Sequence, residues 1–358
     1  SIHYYLFSWY NFYTIDNKIM PKKIDKLIIF FCSIILSLIF LKFENFVGVG
    51  SDYHPDSIHY LNFKLSFSDN NFFLFLKQLY GRGFYFWVKI LNYNYYYIIA
   101  FNILFFALTN VIFFSFFKKN LNEFDFKSYL LLTAVILMPY KLHLSVHVLK
   151  ETIIIFLFIL IILKSNKYFK FIFFLMVLIF RKFSIVYLIV FLNIKKILLM
   201  TNLNIKKKII IFFSTSIFIF VILNIATYHL YNTSVIEIIY SWSIKDMGGR
   251  NYDSISNFSN YGLTGVFLKA ILWPIIFLSG IFVFLSFNFF YFILFLEIVF
   301  LNMFYYYKYK KILFSLEIYS TLLLISFYVS SFTAYFRYSY IAYVIFIFYQ
   351  IYLNEKKK

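Results

Sequence analysis

A chain of 358 residues that is 63% hydrophobic and only 14% charged lies far from the roughly half-apolar, quarter-charged make-up of soluble domains, which excludes a water-soluble globule. Its formal charge of +19 sits in short lysine clusters between apolar runs, as in the cytoplasmic loops of membrane proteins, and so argues against a nucleic-acid binder. The single cysteine, Cys32, excludes an internal disulfide and a cysteine-based metal site.

Residues 1–25 read as an N-terminal extension that the native protein need not contain, since "MPKKIDK" at Met20 resembles a start followed by the basic flank of a retained signal-anchor. Residues 26–358 read as a single transmembrane domain. Apolar run length predicts a first span over Lys26–Phe43, then an outer segment of about 44–94, then a second span over Tyr95–Phe117. A third span over Ser128–Pro139 leads to an outer segment of about 140–151, and Thr152–Leu163 returns.

The next apolar stretch, "FIFFLMVLIFRKFSIVYLIVFL", carries Arg181 and Lys182 at its centre. As one span it would bury two cations at roughly 2.5–3.5 kcal/mol each. As a hairpin each arm is only about 18 Å of helix against a core of about 30 Å. The parity of the flanking lysines favours the hairpin, with its tip in a polar cavity on the outer side.

Ile209–Ala226 crosses again, and a long outer segment of about 227–280 follows. "GLTGVFLKAILWPIIF" reads as an interfacial or re-entrant piece broken by Pro274, and one crossing then reaches Lys308. The last two spans, Ile312–Ser331 and Tyr340–Leu353, flank "TAYFRYS". The expected fold is an all-α, polytopic integral membrane protein of about ten transmembrane helices, with interfacial helices on the outer side.

Arginine is scarce here: Arg82, Arg181, Arg250 and Arg337 are the whole set. On this topology all four face outward, while the inner loops use lysine. A guanidinium is a planar fork that binds phosphate or carboxylate through two hydrogen bonds, so this distribution suggests a phosphorylated ligand at the outer surface. Arg181 stands out, being an ionisable group deep in apolar sequence.

Five of the six histidines (His54, His59, His143, His147 and His229) also fall on or near the outer side. The spacing Asp52-x-His54-x-Asp56 suits a divalent metal, a carboxylate acting as general base toward a hydroxyl, or a solvated loop with Asp-type turns. In "HLSVHVLKE", His143, His147 and Lys150 would share one helix face, without the H-E-x-x-H pattern of a metalloprotease. Lys150 and Glu151 either line the same cavity or cap a span.

Taken together, "GSDYHPDS", "YGRGFYFWVKIL", the "KE" that opens a span, the hairpin split by an arginine, "GGRNYDSISNF" and "FRYSYIAY" resemble the Wzy-type and exopolysaccharide-type repeat-unit polymerases. These are polytopic glycosyltransferases of O-antigen, lipopolysaccharide and capsule synthesis. The resemblance implies a GT-C-like arrangement in the bacterial cytoplasmic membrane. It also implies an undecaprenyl-diphosphate-linked glycan as substrate and a chain-length regulator as partner, with no metal and no cofactor.

On that reading Arg82, Lys150, Glu151, Arg181, Arg250 and Arg337 form the substrate site, the arginines stabilising the departing diphosphate. Asp52, Asp56 or His147 would accept the proton of the acceptor hydroxyl. Two alternatives stay open: a transferase using a lipid-monophosphate sugar, in which an acidic first outer loop is typical, and a lipid-linked oligosaccharide flippase. Transporters have two related halves, whereas this chain has uneven outer loops.

Overall fold

The computed structural model describes residues 23–50, 54–62, 82–120, 126–163, 166–181, 225, 228, 262–285, 289–311, 313, 316–328 and 332–356. Every regular element among them is helical: α1 (Lys23–Phe46), α2 (Pro55–Asn62), α3 (Gly83–Ile90), α4 (Tyr95–Asn120), α5 (Phe126–Leu137), α6 (Pro139–Ser145), α7 (Glu151–Leu163), α8 (Lys167–Phe180), α9 (Gly262–Ser279), α10 (Phe282–Leu285), α11 (Phe289–Tyr309), α12 (Leu316–Tyr328) and α13 (Phe332–Lys356).

Four stretches are long and apolar enough to cross a membrane: Ile24–Phe46, Tyr95–Lys118, Phe126–Ser145 and Tyr291–Tyr309. This corrects the expected fold class. Among the described residues there are four membrane-length helices rather than about ten, and nothing supports a GT-C-like arrangement. The physical reason is that an apolar run is not always a crossing. α7 is apolar around nearly its whole circumference because it is buried from Glu151 to Ile161, packed among α4, α6, α8 and α13, as expected of a helix inside a core. At 13 residues it spans only about 20 Å.

Proline also reads differently in place. Pro139 begins α6 at a first-turn position, after Met138 at φ 14°, where its missing N–H costs nothing. It therefore continues the path of α5 instead of ending it. Pro274 lies inside α9 without breaking it. "TAYFRYS" is not a connection but the first turns of α13.

α1 packs on α4 through its small residues: Ser33 and Ser37 are buried, and Asn110 donates to Ser33 Oγ at 3.1 Å. Small side chains allow helices to approach closely in lipid. The opposite face of α1 leaves Leu27, Ile28, Phe31, Ile35, Leu38 and Ile39 exposed, and α8 and α11 likewise expose Phe171, Ile172, Phe292, Phe300 and Met303. So much outward apolar surface needs a lipid environment. These helices form a multi-pass bundle whose natural surroundings are a bilayer.

The bundle has two unlike ends. At one, Lys118 of α4 reaches Asp25 of α1 at 2.6 Å, Lys127 lies over Tyr307, and Lys311 reaches Asn354. At the other lie the C-terminal turns of α1, α6 and α8 and the N-terminal turns of α7 and α13, where Glu44, His143, Glu151, Arg181 and Arg337 are buried.

Candidate functional site

Glu44 stands in the last turn of α1 and is 1% exposed. The helix ends with Val49 N–H on Glu44 O at 2.8 Å and Gly48 at φ 80°, a left-handed stop that favours glycine and turns the chain back over the bundle end. The Glu44 carboxylate takes two imidazoles. Oε1 pairs with His143 Nδ1 in a short contact, and Oε2 with His147 Nε2 at 2.9 Å.

His143 lies in α6, which is buried from Tyr140 to Ser145. The helix stops there, so His147 sits in the following turn rather than on the same helix face, yet the two rings are 4.5 Å apart. Asn102 of α4 fixes that turn by donating to His147 O at 2.7 Å and Leu149 O at 3.0 Å. His54, just before α2 and also buried, brings Nε2 to 2.8 Å from His143 Nε2. Burial holds His54 well below the ordinary histidine range, helped by the charge of Arg337. One ligand atom from each of His54, His143 and His147 lies within 4.8 Å of the others.

A second half adjoins the first. Glu151 opens α7 with its side chain fully buried; its Oε1 accepts from Arg337 Nη2 at 2.8 Å and from Arg181 Nη2 at 3.2 Å. Arg337 Nη1 also donates to Asp56 Oδ2 at 2.5 Å. Asp56 is half-exposed, so the cluster reaches the surface there. Arg181 caps α8 in an extended conformation, its guanidinium carbon 3.6 Å from the Tyr338 ring centroid. Lys150 Nζ lies over the Tyr60 ring at 5.6 Å, and burial, reinforced by the Arg181 charge, pushes its ammonium down to about 7. Glu151 Oε2 and Arg337 Nε are buried without a hydrogen-bond partner among the described residues. Three basic side chains and two carboxylates thus form one cluster.

Of the residues singled out in the sequence, Asp56, His147, Lys150, Glu151, Arg181 and Arg337 converge here. Arg82 does not join them; it is exposed at the start of α3, where its charge and that of Asp56 both act on Tyr85. Asp52, Arg250 and His229 lie outside the described residues. His59 is exposed and packs edge-on to Tyr85.

Sequence reasoning missed Glu44, Lys141 and Glu297. Lys141, 1% exposed, donates to Asn110 Oδ1 at 2.7 Å and Val135 O at 2.8 Å, and Glu297 Oε2 accepts from Tyr140 N at 2.8 Å. The available signal was an acid within an apolar run, such as Glu297 in "FILFLEIVFL", which marks a site by default.

No family model matches this chain, and neither a curated protein nor a solved structure does. Among the described residues, membrane-length apolar helices and a buried histidine cluster occur together, which is consistent with a membrane-associated protein that carries a site.

Proposed function

We propose that the chain is a membrane glycosyltransferase that polymerises undecaprenyl-diphosphate-linked repeat units into a surface polysaccharide, on the outer face of the bacterial cytoplasmic membrane. The observation that carries this reading is the convergence of Arg181 and Arg337, from helices distant in sequence, on one oxygen of Glu151, with Lys150 next in the chain. Two guanidinium forks and an ammonium suit a diphosphate. Glu151 holds them in place before the ligand arrives, and that preorganisation is what makes such donors effective toward developing charge.

In the transfer, the acceptor hydroxyl oxygen bonds to the anomeric carbon of the donor unit. The bond from that carbon to the phosphate oxygen breaks, and the lipid diphosphate departs with the electron pair, against Arg181, Arg337 and Lys150. The hydroxyl proton passes to Asp56, the carboxylate at the exposed margin. The position of the cluster, at the end of the bundle away from the lysine-rich one, supports an outer-face substrate.

The test is surface-polysaccharide length in cells carrying Arg181→Ala or Arg337→Ala, with the amount of protein in the membrane measured alongside. The expected result is single repeat units at the surface without long chains. Normal chain length at normal protein level would overturn the reading. Absence of even single units would assign the cluster to lipid-linked glycan export instead.

A further inference from the structure

We propose that His54, His143 and His147 bind a divalent first-row transition ion, zinc foremost, with Glu44 as the carboxylate that orients two of the three. Three separate segments bring these imidazoles together: the approach to α2, the helix α6, and the turn between α6 and α7. All three are buried, and their ligand atoms lie within 4.8 Å of one another. Three imidazoles with further coordination positions left open are the donor set of catalytic zinc sites.

The proton placement favours an ion. Glu44 is an acceptor for His143 Nδ1–H and His147 Nε2–H, which turns the lone pairs of His143 Nε2 and His147 Nδ1 to the other side of each ring. A carboxylate behind a histidine is the usual support of a metal-ligating imidazole, fixing its tautomer and raising its basicity. Here one carboxylate serves two ligands. It also supplies negative charge beside the ion, while Arg337 is paired with Glu151 and Asp56.

The N···N separation of 2.8 Å between His54 and His143 is that of a hydrogen bond. Around a tetrahedral ion with Zn–N of about 2.0–2.1 Å it opens to about 3.3 Å. His54, at the start of a short helix rather than inside α6, is the ring placed to make that move. The donor set differs from the Asp52-His54-Asp56 spacing in the sequence: Asp56 pairs with Arg337 instead. Imidazole nitrogen favours Zn2+, Cu2+, Ni2+ or Co2+ over Mg2+ or Ca2+.

The inference goes beyond the polymerase reading and stands without it. The test uses the full chain in detergent, stripped with a chelator, re-equilibrated with ZnCl2 and desalted, with zinc measured per chain by mass spectrometry. The expected result is one zinc per wild-type chain, none in His143→Ala or His54→Ala, and a 10–100-fold weaker site in Glu44→Gln. His59→Ala should bind as wild type does.

Because His143→Ala removes a buried ring, each variant is also passed over a sizing column. Co2+ substitution supplies a second readout, a visible absorption band in wild type that His54→Ala lacks. Zinc absent from the folded wild-type chain, or retained equally by both histidine variants, would overturn the site. Arg181→Ala should keep its zinc while losing long polysaccharide, so the two proposals fail separately.

Discussion

One oxygen of the buried Glu151 carboxylate serves both Arg181 and Arg337. Removing one partner of a buried ion cluster leaves the rest uncompensated. Glu151→Ala is therefore expected to destabilise the protein by about 3–5 kcal/mol, read as lost thermal stability in detergent and a lower membrane level. Lys150 gives a pH signature of its own. The groups acting on it are Arg181, Glu151, Arg337 and Asp56, and its ammonium titrates at about 7 in the folded chain against 10.5 ordinarily. Between those values the unfolded chain binds the extra proton, so folding stability rises with pH from about 7 to about 10.5, and Lys150→Met should flatten that rise. An anion bound beside Lys150 favours its charged form, so diphosphate affinity should fall as pH climbs above 7. Scarcity singles out Arg181 and Arg337 in the sequence, and the family resemblance groups them with Glu151 in one site. The shared Glu151 oxygen and the place of Arg337 within α13 rather than in a connection were not legible there.

At the scale of elements, composition located helices well and their surroundings poorly. α1 and α4 begin and end within a few residues of the expected spans, because a helix that crosses a bilayer must be apolar over a defined length. α6, α7 and α13 were harder to read: an apolar helix buried in protein and one facing lipid have the same composition. The histidine triad was illegible for a related reason, since it joins residues 54 and 143 through a fold that no local spacing encodes. The close approach of α3 to α8 gives a test of this packing. A Cβ on Gly83 would collide with Ile179 Cγ2 and press on Ile179 O, so Gly83→Ala should cost about 1–3 kcal/mol. Adding Ile179→Ala removes the clashing methyl but not the carbonyl. The double variant should lose less thermal stability than the two single losses summed, and strict additivity would show that the two helices do not touch as described.

For the whole molecule, orientation decides whether the proposed substrate can reach the pocket. Lys118, Lys127, Lys167, Lys308, Lys310 and Lys311 gather at one end, by the contacts of α1, α4, α5, α11 and α13 and by the direction of α8. Glu44, Asp56, Glu151, Arg181 and Arg337 gather at the other. The positive-inside rule predicts the lysine-rich end in the cytoplasm and the arginine cluster outside. The single native cysteine makes this directly measurable. Cys32 lies on the apolar, outward face of α1, and Cys32→Ser gives a background without thiols. In that background Asn45→Cys, exposed beside Glu44, should react with a membrane-impermeant maleimide in intact spheroplasts. Lys311→Cys, exposed at the lysine end, should react only after permeabilisation. The reverse pattern would place the arginine pocket in the cytoplasm. It would remove an exported lipid-linked glycan as its substrate, yet leave the three-histidine metal site standing, since that site depends on local geometry and not on the side of the membrane it faces.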